Sequence, residues 1–195
     1  MEIHEAYNQA AEVYRGKYED IPPRTDDVDL TLSYVDVPKP VVLEIGCAYG
    51  REAAYILTKT PHYIGIDISS VYIKMARTEN PAGNFEVADV VRYEFPTGLD
   101  VVFAFASLLH SPKEDMQQVL QRATKALNPG GVVFISLKRR GQYETDVVDD
   151  GYSKRRYYYY TRDTVLGLKS ETLTEVYYAD QSRQEEWFVM ILQKK

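Results

Sequence analysis

Strand and helix signals alternate through residues 41–140, and this alternation restricts the possible fold more than any other feature. Short apolar runs predict strands at 41–45, 63–67, 84–88, 100–106 and 132–137, and amphipathic stretches between them predict helices. The run at 100–106 is apolar on both faces, which is typical of a central parallel strand. Strands and helices that alternate in this way favour an α/β fold, with right-handed crossovers and helices on both faces of a parallel sheet.

Polar residues in front of apolar stretches predict where several helices begin. Ser69 or Ser70 can cap the helix that follows the second strand, and Thr161 can cap the last helix. The tetrapeptide Ser111-Pro112-Lys113-Glu114 predicts a capping box with proline at the first helical position.

The length of 195 residues suits one domain, and we predict a single domain made of three parts. Residues 1–40 form a helical appendage, in which apolar and tyrosine side chains recur at helical spacing until a Pro-Pro pair ends the first helix. Residues 41–140 form the alternating core. Residues 141–195 supply a charged lid loop, a short helix and two final strands joined as an antiparallel hairpin.

Composition excludes several classes of protein. The chain has 29 acidic and 23 basic residues, and its net charge of −6 argues against nucleic-acid binding over the whole surface. The single cysteine, Cys47, excludes a disulfide framework and a zinc site built from cysteines, and we predict no metal site. No apolar run approaches the roughly 18 residues of a transmembrane helix, and the charged N-terminus does not resemble a signal peptide, so we expect a cytoplasmic protein.

The segment 44–50 directly follows the first predicted strand and carries small residues that let a ligand approach the backbone. A dinucleotide fingerprint that starts at Gly46 would need glycine where the chain has Ala48 and Arg51, which argues against a nicotinamide cofactor. An acidic residue followed by G-x-G-x-G fits better, because only Ala48 departs from it. Asp67, at the end of the second strand, is placed to accept hydrogen bonds from both hydroxyls of a ribose.

Four segments, in this order, resemble the motifs of class I S-adenosylmethionine-dependent methyltransferases: 44–50, 65–69, 88–90 and 127–131. Together they span roughly half of the chain. The resemblance implies a Rossmann-like, doubly wound sheet of seven strands, mostly parallel, with the last strand inserted antiparallel. It also implies S-adenosyl-L-methionine as the cofactor and S-adenosyl-L-homocysteine as the product.

The resemblance also implies cofactor-binding roles for residues at the strand ends. Gly46, Ala48 and Gly50 would form the turn under the methionine part of the cofactor. Glu44 would orient that turn and reach the methionine ammonium, and Asp67 would hold the ribose. The remaining implied contacts are Ile68, Asp89 and Val90 around the adenine and Phe105 and Ala106 beside the sulfonium.

Candidates for binding the methyl acceptor lie after the fourth and fifth strands and in the appendage. His110 is a candidate general base, although it can equally pack against a lid or cap backbone groups. Tyr7 and Tyr14 either face the site or only pack the first helix on the sheet. The other candidates are Lys138, Tyr158 and Tyr160; the last two belong to a run of four tyrosines, of which at most two rings can face one ligand.

We therefore predict methyl transfer to an oxygen or nitrogen atom of a small-molecule acceptor, because the appendage and the lid loop can close only a pocket of modest size. Two alternatives stay open, namely methylation of a protein side chain or RNA, and a non-catalytic subunit that binds the cofactor. We expect no membrane or nucleic-acid partner, and a monomer or a homodimer.

Overall fold

The computed structural model describes residues 3–182 and 186–195. The helices are α1 (Ile3–Lys17), α2 (Thr25–Leu32), α3 (Arg51–Lys59), α4 (Ser70–Glu79), α5 (Lys113–Ala126) and α6 (Arg162–Leu168), and Leu108–His110 form a turn of 3-10 helix. The strands are β1 (Val42–Ile45), β2 (Tyr63–Asp67), β3 (Asn84–Val87), β4 (Leu99–Phe105), β5 (Leu127–Lys138), β6 (Glu144–Asp149), β7 (Lys154–Tyr159), β8 (Leu173–Ser182) and β9 (Glu186–Lys194). Every strand and helix predicted between residues 41 and 140 is present, although β5 begins at Leu127 rather than at 132.

Seven strands form one sheet in the order β3-β2-β1-β4-β5-β9-β8. The first five strands along the chain are mutually parallel, whereas β9 runs antiparallel to both β5 and β8. The last strand is therefore inserted between two neighbours of opposite direction. This arrangement confirms the Rossmann-like fold with a C-terminal antiparallel hairpin.

The sheet is buried on both faces. On one face Leu43 and Val133 pack with Leu120 of α5, and on the other Val42 and Phe134 pack with apolar residues of α3 and α4. All seven residues of β4 are buried, as expected for a central strand. Burying one large apolar side chain stabilises the fold by roughly 1.5–3 kcal/mol. The core on both faces therefore holds the strands in place, and with them the edge of the sheet at which the strands end.

The predicted lid loop is instead an antiparallel hairpin, in which β6 and β7 form a separate two-stranded sheet. Valine, threonine and tyrosine favour extended backbone, and this preference outweighs the charges that suggested a solvated loop. Alternate side chains of β7 are buried: Arg155, Tyr157 and Tyr159 face the body of the protein, while Lys154 and Arg156 are exposed.

The helix caps follow the prediction in two cases and depart from it in one. Ser69 and Thr161 each accept a hydrogen bond from the backbone N–H three residues later, at 3.2 Å in both cases. The predicted capping box is wrong. The helix α5 begins at Lys113, and within the described ranges no side chain caps it, because Pro112 takes an extended ψ of 171° at the N-cap position. Ser111 therefore lies one residue too early to cap the helix.

The helix α1 confirms the predicted helical appendage and packs against the N-terminal end of α4. The amide oxygen of Asn8 accepts a hydrogen bond from the Ser69 hydroxyl at 2.7 Å. Ala10 and Ala11 are buried in a cluster with Tyr49 and Tyr72. In the part of the chain that the structure describes, no helix is long and apolar enough to cross a membrane.

Candidate active site

The turn after β1 requires an unusual backbone conformation. The φ angles of Gly46, Ala48 and Gly50 are all positive, at 71°, 47° and 86°. A Cβ on Gly46 would collide with the Cβ of Ser107, so this position needs glycine for space as well as for conformation. Ala48 adopts the left-handed conformation that costs most residues about 1–2 kcal/mol. Its N–H is held at 3.0 Å by the carboxylate of Asp67, which helps to offset that cost.

Asp67 ends β2 and joins the turn to the start of the next helix. One carboxylate oxygen accepts the N–H of Ala48 and the other accepts the N–H of Ser69 at 2.8 Å. Burial raises the pKa of Asp67 to about 6, while the backbone N–H groups oppose the shift. An ionised carboxylate offers about four acceptor sites, and these two bonds leave capacity for a ligand hydroxyl.

The segments after β3 and β4 reach the same edge of the sheet. The N–H of Ala88 donates to the backbone oxygen of Asp67 at 2.9 Å. Asp89 accepts the N–H of Val91 at 3.0 Å, and its side chain is 40% exposed and accessible to a ligand. Ala106 has a positive φ of 50°, and its N–H donates to Ser136 Oγ at 3.0 Å.

The structure thus brings most of the implied cofactor-binding segments together at one edge. The members are the turn residues Gly46, Ala48 and Gly50, then Asp67, the half-buried Ile68, Asp89, Val90 and Ala106. A buried hydroxyl also lies here: Ser107 Oγ, next to Gly46, has no hydrogen-bond partner among the described residues.

Glu44 is buried behind this edge, and its implied roles of orienting the turn and reaching a ligand ammonium stay predictions. Its side chain is only 1% exposed and accepts a hydrogen bond from the Tyr63 hydroxyl at 2.6 Å. Burial, reinforced by the negative charge of nearby Glu52, raises the pKa of Glu44 to about 8. The reason is strand geometry: Glu44 shares a face of β1 with Val42, and that face packs toward α3 and α4.

Phe105 packs among other aromatic rings, and its implied place beside the sulfonium stays a prediction. Its ring stacks on Phe103, with centroids 4.9 Å apart, and contacts Phe134 at 5.0 Å. The guanidinium of Arg24 lies 5.5 Å from the same ring. Residues 103 and 105 share one face of β4, so the ring of Phe105 belongs to the core, where it is 7% exposed.

His110 is held in a single tautomer by two hydrogen bonds. Nδ1 lies 2.6 Å from the carbonyl oxygen of Arg156, which can only accept, so Nδ1 carries the proton. Nε2 therefore accepts from the Tyr7 hydroxyl at 2.7 Å. Burial lowers the pKa of His110 to about 4, and the positive charges of Arg155 and Lys138 act in the same direction. The imidazole is neutral at physiological pH, and the same burial raises the pKa of Tyr7.

Tyr14 reaches the hairpin β6–β7 from α1. Its hydroxyl donates to Asp150, and the guanidinium of Arg155 donates to both Tyr14 and Asp150. Burial works against ionisation of Asp150, but the hydrogen bond from Tyr14, backbone N–H groups and the charge of Arg155 lower the pKa of Asp150 to about 2. Both tyrosines predicted from the appendage therefore face the His110 side of the molecule.

The tyrosine run is divided between two faces, as its alternation predicts. Tyr158 is half-buried, stacks on Tyr143 and lines a cleft with His110. Tyr160 is fully buried, and its hydroxyl donates to the backbone oxygen of Ser111 at 2.7 Å. Tyr160 is thus a core residue rather than an acceptor-binding one, which corrects the prediction.

Tyr157 and Arg155 also lie at this site. The sequence offers Tyr157 only as a member of the tyrosine run, and Arg155 only as one of several basic residues that could bind an anionic substrate or lie in a solvated loop. The ring of Tyr157 lies 4.6 Å from that of His110, and the Lys138 ammonium lies 4.7 Å from the Tyr157 ring. The period of two along β7 groups residues 155 and 157 on one face. That signal was present, but only the hairpin's packing shows that this face is the inner one.

Two clefts border the carboxyl edge. One, of 160 Å³, is lined by both His110 and Arg155. The other, of 350 Å³, lies between the end of α1, the start of α3 and the end of α4, where Arg15 is paired with Glu79. The smaller cleft is the one lined by His110, the candidate base, so we assign it to the acceptor side of the site.

Part of the chain is similar to known methyltransferases. Residues 42–131 match a family model described as a methyltransferase domain. A trans-aconitate 2-methyltransferase of Rhodopseudomonas palustris (strain BisA53) is 32% identical over 123 residues, which cover 62% of this chain and 47% of that protein. The chain therefore spans about half the length of this curated relative.

The fold is similar to that of a S-adenosylmethionine-dependent methyltransferase from Clostridium acetobutylicum, with a TM-score of 0.77 and 12% identity over 96% of this chain and 98% of that one. It is also similar to 1,6-didemethyltoxoflavin-N1-methyltransferase of Burkholderia thailandensis, whose structure holds 1,6-didemethyltoxoflavin and S-adenosylhomocysteine. The TM-score is 0.74, with 18% identity over 99% of this chain and 87% of that one.

The sheet order and the segments that meet at its carboxyl edge define a methyltransferase fold of the Rossmann-like type. The family-model match and the curated relative are more specific. The match over residues 42–131 and the curated relative agree with the resemblance to class I S-adenosylmethionine-dependent methyltransferases that the ordered motifs of the sequence carry.

Proposed function

We propose that this chain catalyses methyl transfer from S-adenosylmethionine to an oxygen or nitrogen atom of a small-molecule acceptor. The observation that carries the proposal is the position of the Asp67 carboxylate. It is anchored by the N–H groups of Ala48 and Ser69, and so lies between the glycine-containing turn and the start of α4. A buried carboxylate in that position matches the hydroxyls of a ribose.

The residues at the edge fit a nucleoside cofactor with an amino-acid part. Asp67 retains acceptor capacity for ribose hydroxyls, and Asp89 exposes a carboxylate that can accept from the adenine amino group. Gly46 and Ser107 pack tightly beside each other, and the unpartnered hydroxyl of Ser107 is available to a polar group there. When bound, S-adenosylmethionine supplies a methyl group already activated by its sulfonium charge.

The acceptor side of the site can remove a proton. An acceptor bound beside Tyr7 would give up a proton as it takes the methyl group, and the electron pair of the carbon–sulfur bond would stay on the cofactor's sulfur. The acceptor's proton passes to the hydroxyl oxygen of Tyr7 as the proton of Tyr7 passes to Nε2 of His110, since that nitrogen is an acceptor 2.7 Å away. In this proposal His110 is the base and Tyr7 carries the proton to it.

A small acceptor fits the covering elements. The helix α1 and the hairpin β6–β7 meet over this edge through Tyr14, Asp150 and Arg155, and the cleft beside His110 measures 160 Å³. The curated relative is named for methylation of trans-aconitate, and the Burkholderia neighbour holds a small heterocycle. The single-domain division, the cytoplasmic location and the monomeric or homodimeric state stay predictions.

Calorimetric titration with S-adenosylmethionine and S-adenosylhomocysteine tests the cofactor assignment. We expect the wild-type protein to bind both, and Asp67→Asn to lose affinity at least about tenfold, because charge-assisted hydrogen bonds contribute roughly 1.5–3 kcal/mol each. Asp36→Asn, at an exposed loop position, is the matched control and should bind as the wild type does. Absence of binding by folded wild-type protein would refute the proposal and favour a non-catalytic role.

A further inference from the structure

Arg155 is a buried cation whose hydrogen bonds are incomplete. It is only 7% exposed, and its Nη2 donates to Tyr14 and Asp150. Its Nε–H is buried and has no hydrogen-bond partner within residues 3–182 and 186–195. Unpartnered buried donors are uncommon in folded proteins, and each needs a physical explanation. A ligand that brings an acceptor atom is such an explanation.

The surroundings of Arg155 would strengthen such a bond. The guanidinium carbon lies 4.9 Å from the ring centroid of Tyr7, 4.7 Å from that of Tyr14 and 5.7 Å from that of Tyr157. These rings exclude water from the guanidinium, and charge-assisted hydrogen bonds are stronger where water is excluded. The positive charge of Lys138 also lies close to the Tyr157 ring, 4.7 Å from its centroid.

One cleft links this guanidinium to the proposed base. Its volume is 160 Å³, and its lining includes His110, Arg155, Arg156 and Tyr158. At about 30 Å³ per water molecule this space corresponds to roughly five waters, which suits an anionic group and a short chain rather than a large ring system. A molecule held at Arg155 would therefore place its other end toward the pair formed by Tyr7 and His110.

We propose that Arg155 recognises a carboxylate or phosphate group of the methyl acceptor through its free Nε–H, and so makes the enzyme specific for small anionic acceptors. The inference rests on the proposed methyltransferase function. Arginine suits this role better than lysine, because its planar guanidinium carries an Nε–H donor in a fixed direction and lysine has no donor at that position. Asp150 and Tyr14 orient the guanidinium by occupying Nη2.

The first test observes Arg155 directly in the wild-type protein loaded with S-adenosylhomocysteine. Acetate and inorganic phosphate are titrated separately, with sodium chloride at equal ionic strength as the control, while the arginine Nε–H resonances are followed by NMR. We expect a saturable downfield shift of the Arg155 resonance with at least one of the two anions. The anion that saturates at the lower concentration identifies a carboxylate or a phosphate as the preferred group. Shifts no larger than those with chloride would overturn the proposal.

The second test uses variants. Arg155→Lys keeps the charge but removes the Nε–H donor, and should weaken binding of the preferred anion at least tenfold. Arg162→Lys is the matched control, because Arg162 is an exposed arginine paired with Glu175 away from the site, and it should change nothing. If Arg155→Lys instead weakens S-adenosylhomocysteine binding tenfold and leaves anion binding intact, Arg155 serves the cofactor's carboxylate and the proposal is wrong.

The two proposals fail separately. Wild-type protein that binds no S-adenosylhomocysteine contradicts the methyltransferase function, whereas protein that binds it but gives no anion-dependent shift contradicts only the role of Arg155. Should Arg155→Lys not fold, the wild-type NMR titration decides alone.

Discussion

Replacing Glu44 with glutamine should change how the stability of this protein depends on pH. The Glu44 side chain is 1% exposed and accepts a hydrogen bond from the Tyr63 hydroxyl at 2.6 Å. Burial and the nearby Glu52 raise its pKa from 4.5 to about 8. The native carboxyl is therefore protonated at neutral pH, and a protonated acid still offers an acceptor oxygen to Tyr63.

The sign and size follow from linkage between protonation and folding. The folded state keeps the proton on Glu44 at pH values where the unfolded state, with its lower pKa, has already released it. The free-energy cost of burying Glu44 is therefore absent below about pH 4.5 and complete above about pH 8. At 1.36 kcal/mol per pKa unit, the cost is about 1 kcal/mol at pH 5 and about 4 kcal/mol at pH 8. Wild-type stability should fall through this window on account of Glu44.

Glutamine removes the ionisation and keeps an acceptor for Tyr63. Urea unfolding of wild-type protein and Glu44→Gln at pH 5 and pH 8 should show the variant gaining about 3 kcal/mol relative to the wild type between the two pH values. Glu12→Gln, on the exposed face of α1, controls for loss of one charge and should show no such gain. S-adenosylhomocysteine affinity should be unchanged in Glu44→Gln.

An equal stability difference at both pH values, within about 0.5 kcal/mol, would refute the reasoning. Glu44 would then be ionised in the native protein. Loss of S-adenosylhomocysteine binding in Glu44→Gln would support the contact between Glu44 and the ligand ammonium that the motif implied.

Three further predictions concern single positions. Gly46→Ala should destabilise the fold by at least about 2 kcal/mol in urea unfolding and abolish S-adenosylhomocysteine binding, because the new Cβ would meet Ser107 and the φ angle is positive. The control Gly141→Ala, where a Cβ would meet open space, should stay within about 0.5 kcal/mol of the wild type. Burial raises the pKa of the Cys47 thiol, so a thiol reagent should modify native protein on the order of a hundredfold more slowly than unfolded protein, and equal rates would contradict the buried position. Burial lowers the pKa of His110 from 6.5 to about 4, so the unfolded state takes up a proton before the folded state does as pH falls. Between pH 8 and pH 5, the free energy of unfolding of the wild-type protein should therefore fall by about 2 kcal/mol relative to that of His110→Gln. A difference that stays constant between these pH values would refute the pKa shift.

Much of the fold could be predicted because its signals are local. The apolar runs and helical periodicities of residues 41–140 gave each strand and helix, and the capping hydroxyls of Ser69 and Thr161 needed only the three residues that follow. The number of strands in the sheet and the antiparallel insertion of the last one came from the family resemblance rather than from periodicity, and the strand order came from the structure. The capping box at Ser111 failed because proline can take either the first helical position or the N-cap, and the tetrapeptide does not decide between them.

The site was predicted only in part, because local signals locate the backbone turns but not the direction of each side chain. Backbone turns at strand ends must meet at the carboxyl edge of a parallel sheet, so Gly46, Asp67 and Asp89 could be grouped from their positions alone. Side-chain direction within a strand could not. A shift of one residue moves a side chain to the other face, so the sequence alone could not show that the side chains of Glu44 and Phe105 are buried.

By itself, the sequence determined the α/β class, the positions of the core elements and the glycine-containing turn, since periodicity and turn chemistry act over a few residues. Only the tertiary structure decided that residues 144–159 form a hairpin under α1, and that Tyr7 meets His110 while Tyr14 meets Asp150 and Arg155. These partners lie more than a hundred positions apart in the chain, 103 in the first case and 136 in the second. No local pattern encodes such contacts, because they arise when separately formed elements bury their faces against each other.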